Sequence, residues 1–334
     1  MTSPAAVPGS LDVVGIGNAL VDVLTHEEEA FLEAHGLVKG SMTLVDTVRA
    51  EALYEAMGVG IEMSGGSAAN TVSGIASFGG KAAYIGRVFD DQLGAVFAHD
   101  MRSTGVLFRS KPATEGPPTG RCLIVVTPDA QRTMNTYLGS SEFFGPEHVD
   151  SDLIAAAQVT FLEGYLFDRP EAKEAYWKAS RVAHDAGRRV SLTLSDTFCV
   201  ERHRAEWRDL VTDQVDILFA NEAEALALYE VDTFDEALAA ARADAEVAIV
   251  TRGPRGSVVA RGDEVVVVDP HPVDVVDTTG AGDLYAAGFL FGFTHDRPLE
   301  VCGKLGSVAA SAVLGHTGAR PGASLGQLTA SMGL

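Results

Sequence analysis

The stretch I-L-F-A-N-E-A-E-A-L-A-L-Y, residues 217–229, sets the architecture. Ile217 to Ala220 form a short apolar run suited to a buried strand. Asn221 and Glu222 follow at once, and an alanine- and leucine-rich helical segment runs on to Tyr229. A strand that passes directly into a helix is half of a βαβ unit. Outward from this stretch the alternation recurs. Residues 159–164, 189–194 and 247–251 read as strands, with helices at 171–186 and 236–242. Residues 257–261 and 264–268 read as a hairpin across Gly262-Asp263, and helices follow at 282–293 and 299–314. Toward the N-terminus, 11–17 and 82–85 read as strands, with helices at 68–78 and 93–104. Repeated strand–helix units imply an α/β fold, with a mostly parallel sheet covered by helices on both faces. Ligands of such sheets sit beyond the carboxyl ends of the strands. Residues 107–139 differ. They carry Pro112, Pro117 and Pro118, then two alternating segments near 121–126 and 132–137, and predict a small sheet standing off the main body.

The chain has 334 residues, enough for one large α/β domain or two small ones. It has 25 Lys+Arg against 46 Asp+Glu, a formal net charge of −21. A phosphate backbone or an anionic membrane would repel it, so neither nucleic acid nor a membrane is an expected partner. An anionic small molecule would need a local positive site or a metal. Cys122, Cys199 and Cys302 lie far apart with no CxxC pair. They predict buried free thiols in a reducing, cytoplasmic setting. No apolar run approaches the roughly 20 residues of a membrane span. Residues 1–10 lack a basic start and an apolar centre, and are expected to form a short flexible tail.

The chemistry concentrates in V-D-T-T-G-A-G-D, residues 276–283, which opens a helix. Gly280, Ala281 and Gly282 let backbone N–H groups approach an anion closely, and the helix dipole reinforces them. Asp283 in the same turn has two readings. It caps the helix, as Asp often does, or it receives a proton beside the bound anion, as phosphoryl transfer to a hydroxyl requires. A second glycine turn, S-G-G-S-A-A-N at 64–70, is either a tight packing turn or a polar-ligand site. Gly15-Ile-Gly17-Asn18 lacks the third glycine of a dinucleotide loop, and no G-x-x-x-x-G-K-[ST] occurs.

Together these motifs strongly resemble the ribokinase-type (PfkB-like) family of sugar and nucleoside kinases, over nearly the whole chain. Gly65-Gly66-Ser67-Ala68-Ala69-Asn70 matches its N-terminal signature, and Asp277-Thr278-Thr279-Gly280-Ala281-Gly282-Asp283 its C-terminal one. Asn221-Glu222-Ala223-Glu224 matches N-x-x-E. Thr251-Arg252-Gly253-Pro254-Arg255-Gly256 matches the T-x-G-x-x-G phosphate segment. Gly15-Ile-Gly17-Asn18-Ala19-Leu20-Val21-Asp22 and Pro118-Thr119-Gly120 look most like the adenosine kinase branch.

The resemblance implies a single ribokinase-like three-layer α/β/α domain over 1–334, with a β lid from about 18–47 and 105–139. It implies ATP and Mg²⁺ as cofactors, and a nucleoside or sugar as acceptor. Asp283 would be the general base, and Gly280, Ala281, Gly282 and Arg132 would stabilise the moving phosphoryl group. Asn18, Asp22, Gly65, Gly66 and Asn70 would hold the sugar, and Tyr165, Leu166, Phe198 and Met42 the base. Asn221 and Glu224 would organise Mg²⁺ through water. Thr251, Arg252, Gly253 and Gly256 would lie along the ATP phosphates. Asp277 and Thr279 match a loop that contributes to a monovalent cation site, as for K⁺. The expected reaction converts ATP and adenosine to ADP and AMP in a monomer or homodimer. A ribose or fructose kinase is the alternative. A non-catalytic nucleotide-binding regulator is disfavoured by the intact motifs.

Overall fold

The unbroken apolar runs at 13–16, 217–220 and 247–250 build the interior. The computed structural model describes residues 10–129 and 131–334; residues 1–9 of the expected N-terminal tail lie outside them. Among the described residues, nine strands form one sheet and five another. The large sheet runs in the order β14 (Glu264–Val268), β13 (Ser257–Arg261), β12 (Val247–Thr251), β11 (Ile217–Asn221), β10 (Arg189–Thr193), β9 (Ala157–Glu163), β1 (Leu11–Ile16), β5 (Ala82–Ile85) and β6 (Leu107–Phe108). Its pairs are parallel from β12 to β6, and the terminal β12–β13–β14 meander is antiparallel.

Successive side chains of a strand point to opposite faces, and this sheet is buried on both. Ile217 and Phe219 face one core with Phe289 and Leu284 of the helix Ala281–Thr294. Leu218 and Ala220 face the other core with Tyr176 and Trp207. That two-sided burial explains why residues 217–220 are apolar without alternation.

The small sheet runs β3 (Met42–Leu44), β8 (Arg132–Tyr137), β7 (Gly120–Val126), β2 (Leu20–His26) and β4 (Ile61–Gly65). Two features depart from the expected lid limits of 18–47 and 105–139. The sheet also takes in β4, whose I-E-M-S-G lacks clear alternation. Within 105–139, β6 pairs with β5 and so belongs to the large sheet.

A helix absent from the sequence expectation fills Thr197–Gln214. Its backbone leaves helical geometry at His203, and charged residues crowd the buried stripe of Val200, Trp207, Leu210 and Val211. Among the described residues no helix is long and apolar enough to cross a membrane.

Candidate active site

The parallel strands end at a cavity of about 660 Å³, which the small sheet also walls. Glu163, Thr193, Asn221 and Thr251, the last residues of β9, β10, β11 and β12, line it. From the small sheet come Leu20 and Asp22, Met42 and Leu44, Cys122 and Ile124, and Met134 and Thr136. Each pair is spaced by two residues, which puts all four pairs on one face. The opposite face is packed, with Val21, Val23 and Leu123 buried against Ala50 and Leu53 of the helix Thr47–Ala56.

Asp283 stands in the first turn of the helix Ala281–Thr294. Its Oδ1 accepts from Ser67 Oγ at 2.6 Å, and its Oδ2 from Asn70 Nδ2 at 3.0 Å. The two glycine signatures, some 213 residues apart in sequence, therefore meet at one carboxylate. Removal from bulk water pushes the Asp283 carboxyl above the usual range, while Ser67, Asn70 and Arg320 oppose that. Gly280 adopts φ +77°, and a Cβ there would run into Ala319, so glycine is required at the entry to the helix.

Asp22 lines the same cavity, and burial pushes it up to about 6 against Arg320 and Arg132. A Cβ on Gly65 would collide with the Asp22 carboxylate, and one on Gly66 with the Asn18 carbonyl. These glycines thus admit Asp22 and Asn18 to the floor. Asn18 is itself fixed: its N and Nδ2 donate to Glu163 Oε1 at 2.8 and 2.9 Å, and its Oδ1 accepts from Ser141 Oγ at 2.9 Å. Glu163 also accepts from Ala68 N at 2.7 Å. Full burial raises its carboxyl to about 7, with the Ala68 and Asn18 donors pulling the other way.

The anion loop supplies Thr278, Thr279, Gly280 and Gly282 to the cavity, whereas Ala281 and Asp277 stand behind the lining. Asp277 Oδ1 accepts from Thr279 N and Oγ1, and its Oδ2 from Gly318 N and from Arg132 Nη1 at 2.5 Å. Burial acts to raise its carboxyl, but these amides, the hydroxyl and Arg132 outweigh it and hold it low. With two donors on each oxygen, the carboxylate has its acceptor directions filled. It does not fit a directly bound K⁺. Arg132 and Asp277 form a nearly buried pair, their side chains 9% and 8% exposed, that ties β8 to the anion loop.

Asn221 and Glu224 line the cavity as the capping box of a helix. Asn221 Nδ2 and N donate to the two Glu224 oxygens at 2.7 and 2.9 Å, and Glu224 N donates back to Asn221 Oδ1. Burial pushes Glu224 up to about 7. Among the described residues no group of three or more His, Cys, Asp or Glu could hold a metal. Each Glu224 oxygen takes a single Asn221 donor and keeps a lone pair, which fits a water of a hydrated Mg²⁺ carried mainly by phosphate and water oxygens.

Thr251 reaches the cavity. Arg252, Gly253 and Gly256 do not; Arg252 pairs with Glu222 at 3.3 Å and covers the Phe234 ring at 3.8 Å.

Tyr165 and Phe198 line the cavity with ring centroids 6.1 Å apart. Leu166 does not; it is buried in the core beside Phe167 and Tyr176. Leu44, Ile124 and Met134 join the wall without having been singled out in the sequence. So does Glu163 on the floor, with Arg320 behind it, while Ser67 belongs to the glycine turn already read at 64–70. Strand alternation could have flagged the first three. The others are assembled by long-range contacts that no local pattern announces.

A family model described as pfkB family carbohydrate kinase matches residues 43–324. The solved adenosine kinase from Sinorhizobium meliloti is 52% identical, with a TM-score of 0.89 over 97% of this chain and 99% of that one. A probable sugar kinase protein from Rhizobium etli is 49% identical, with a TM-score of 0.90 over the same shares. The adenosine kinase of Saccharomyces cerevisiae is 26% identical over 95% of this chain and 96% of that protein. These likenesses define a phosphotransferase with an alcohol group as acceptor. The chain belongs to the PfkB family of carbohydrate kinases and has the ribokinase-like α/β fold.

Proposed function

We propose that this kinase phosphorylates the 5′-hydroxyl of adenosine, yielding AMP and ADP. The observation that carries the reading is the apolar sheet face above a carboxylate floor. Met42 and Leu44 are 39% and 48% exposed, with Ile124, Met134 and the Tyr165–Phe198 pair lining the same cavity. Large apolar side chains left facing a cavity gain by covering a flat apolar ligand. A free sugar offers no such surface; a purine does. That the relative 52% identical is an adenosine kinase supports the same choice.

In this reading Asp22 and Asn18 take the ribose hydroxyls, and the small sheet closes as a lid that excludes water. Asp283 accepts the 5′-hydroxyl proton as that oxygen bonds to the γ-phosphorus and the bond to the ADP leaving oxygen breaks. The Gly280–Gly282 amides and the helix dipole stabilise the charge on the transferring group. Mg²⁺, when bound, neutralises phosphate charge. Arg132, held at the loop by Asp277, would add positive charge beside the transferring group. The net charge of −21 favours a free small molecule as partner over nucleic acid or a membrane.

The test is ADP release with Mg-ATP against adenosine, guanosine, inosine, cytidine, ribose and fructose. Turnover with adenosine and none with free sugars is expected. Turnover with a free sugar and none with nucleosides would overturn the adenosine reading and the roles of Tyr165 and Phe198, leaving the phosphate chemistry intact.

A further inference from the structure

Behind the floor of the site stands an arginine from the segment after the helix Leu299–Leu314. Arg320 Nε donates to Asn70 Oδ1 at 3.0 Å, and its Nη2 to Ser64 O and Oγ at 2.9 and 2.8 Å. Its Nη1 is enclosed and has no hydrogen-bond partner. We propose that Arg320 is a positioning residue: it fixes the Asn70 amide toward Asp283 and supplies interior positive charge shared by Asp283 and Asp22. The proposal rests on the reading of Asp283 as general base.

The geometry requires one orientation of Asn70. Its Oδ1 meets Arg320, which only donates, and its Nδ2 meets the Asp283 carboxylate, which only accepts. The reversed amide would set donor against donor and acceptor against acceptor. Arg320 and Asp283 thus define the amide from both sides, and the amide holds the carboxylate at a fixed angle over the anion loop.

Charge gives the second half. Asp22 from β2, Asp283 from the helix Ala281–Thr294 and Glu163 from β9 crowd one floor, and the Asp283 charge raises the cost of ionising both Asp22 and Glu163. Arg320 opposes that cost for both Asp22 and Asp283. Arg132 from β8 reaches Asp22 as well. On its far side Arg320 is also attracted by Asp100, whose carboxylate accepts from Ser64 N at 2.9 Å. Ser64 ends next to the glycine turn, so the same guanidinium anchors the strand that delivers Gly65 and Gly66.

The experiment compares R320Q, which keeps donors without charge, with R320K, which keeps charge without the fork. Profiles of kcat and nucleoside KM against pH are measured for both, for the unaltered enzyme and for D283N. In R320Q the acidic limb of kcat is expected to move up by about one pH unit, with kcat falling more than KM changes. In R320K kcat falls, but the limb stays within about 0.3 pH unit of the unaltered enzyme. A limb unmoved in R320Q overturns the proposal, as does a full-unit shift in R320K. If R320Q does not fold, R320K decides: a limb shifted by a full unit, or a kcat equal to that of the unaltered enzyme, overturns the proposal. D283N separates the two readings. Retained turnover in D283N sinks the general base itself; an inactive D283N beside an unmoved R320Q limb sinks only the role of Arg320.

Discussion

At the scale of the residue, Asp22 is the group whose ionisation, in the reading proposed above, bears most directly on acceptor binding. A carboxylate accepts two vicinal hydroxyls; a protonated carboxyl must spend one oxygen as a donor. Burial raises Asp22 to about 6, above the ordinary 3.8, so the group is ionised above that pH and neutral below it. Nucleoside affinity should therefore be full above pH 6. Below it, the nucleoside KM should rise by about tenfold per pH unit, while the KM for ATP holds. Initial rates between pH 5 and 8 check this, with D22N as the control in which the nucleoside KM is high and flat. A nucleoside KM that stays level from pH 8 to 5 in the unaltered enzyme would remove Asp22 from the acceptor site. Neighbouring residues show how far such assignments could be read in advance. Gly65 and Gly66 were visible as a glycine turn, and the fold adds the reason for them, which is room for Asp22 and for the Asn18 carbonyl. Arg320 was not visible, because its partners Ser64 and Asn70 lie 256 and 250 residues away.

At the scale of the element, the anion loop and the helix it opens form the best-defined unit. Their position was legible, because small residues followed by a carboxylate mark a helix start, but the local pattern left Asp283 as either a cap or a base, and only the family resemblance chose between them. The state of Asp277 was not legible. The family resemblance places it in a loop associated with a monovalent cation, yet Thr279, Gly318 and Arg132 fill its carboxylate. A guanidinium already supplies the positive charge that a bound ion would bring. Replacing K⁺ by tetramethylammonium at constant ionic strength should accordingly change kcat by less than about twofold, since no acceptor direction of Asp277 is open to K⁺. Strong loss of rate without K⁺ would show that the ion competes successfully with Arg132. Among the larger elements, strands buried on both faces were legible from their unbroken apolar runs. The helix Thr197–Gln214 was not, since its kink at His203 splits one amphipathic pattern into two short pieces. Strand β4 escaped for a related reason. It is five residues long, ends in glycine, and takes its register from Leu20–Leu24 of β2 rather than from its own sequence.

At the scale of the whole molecule, the governing quantity is net charge. A body carrying −21 repels an approaching polyphosphate over distances set by the Debye length, about 10 Å at 0.1 M salt and 30 Å at 0.01 M. Local positive charge where the proposed reading puts the phosphates is mostly spent, with Arg132 paired to Asp277 and both Arg252 and Arg255 paired to Glu222. Adenosine is uncharged and feels none of this. Raising salt from 10 to 150 mM with an inert 1:1 electrolyte should thus lower the KM for Mg-ATP, on the order of two- to threefold by screening the repulsion. The KM for the nucleoside should stay level over the same range. The sign is the informative part. An ATP KM that rises with salt would mean that attraction at the anion loop prevails over the repulsion of the body. The pairs Arg132–Asp277 and Arg252–Glu222 would then have to open to meet the phosphates. A nucleoside KM that follows the ATP KM would instead point to salt acting on closure of the small sheet, through the Arg132–Asp277 pair that joins it to the loop.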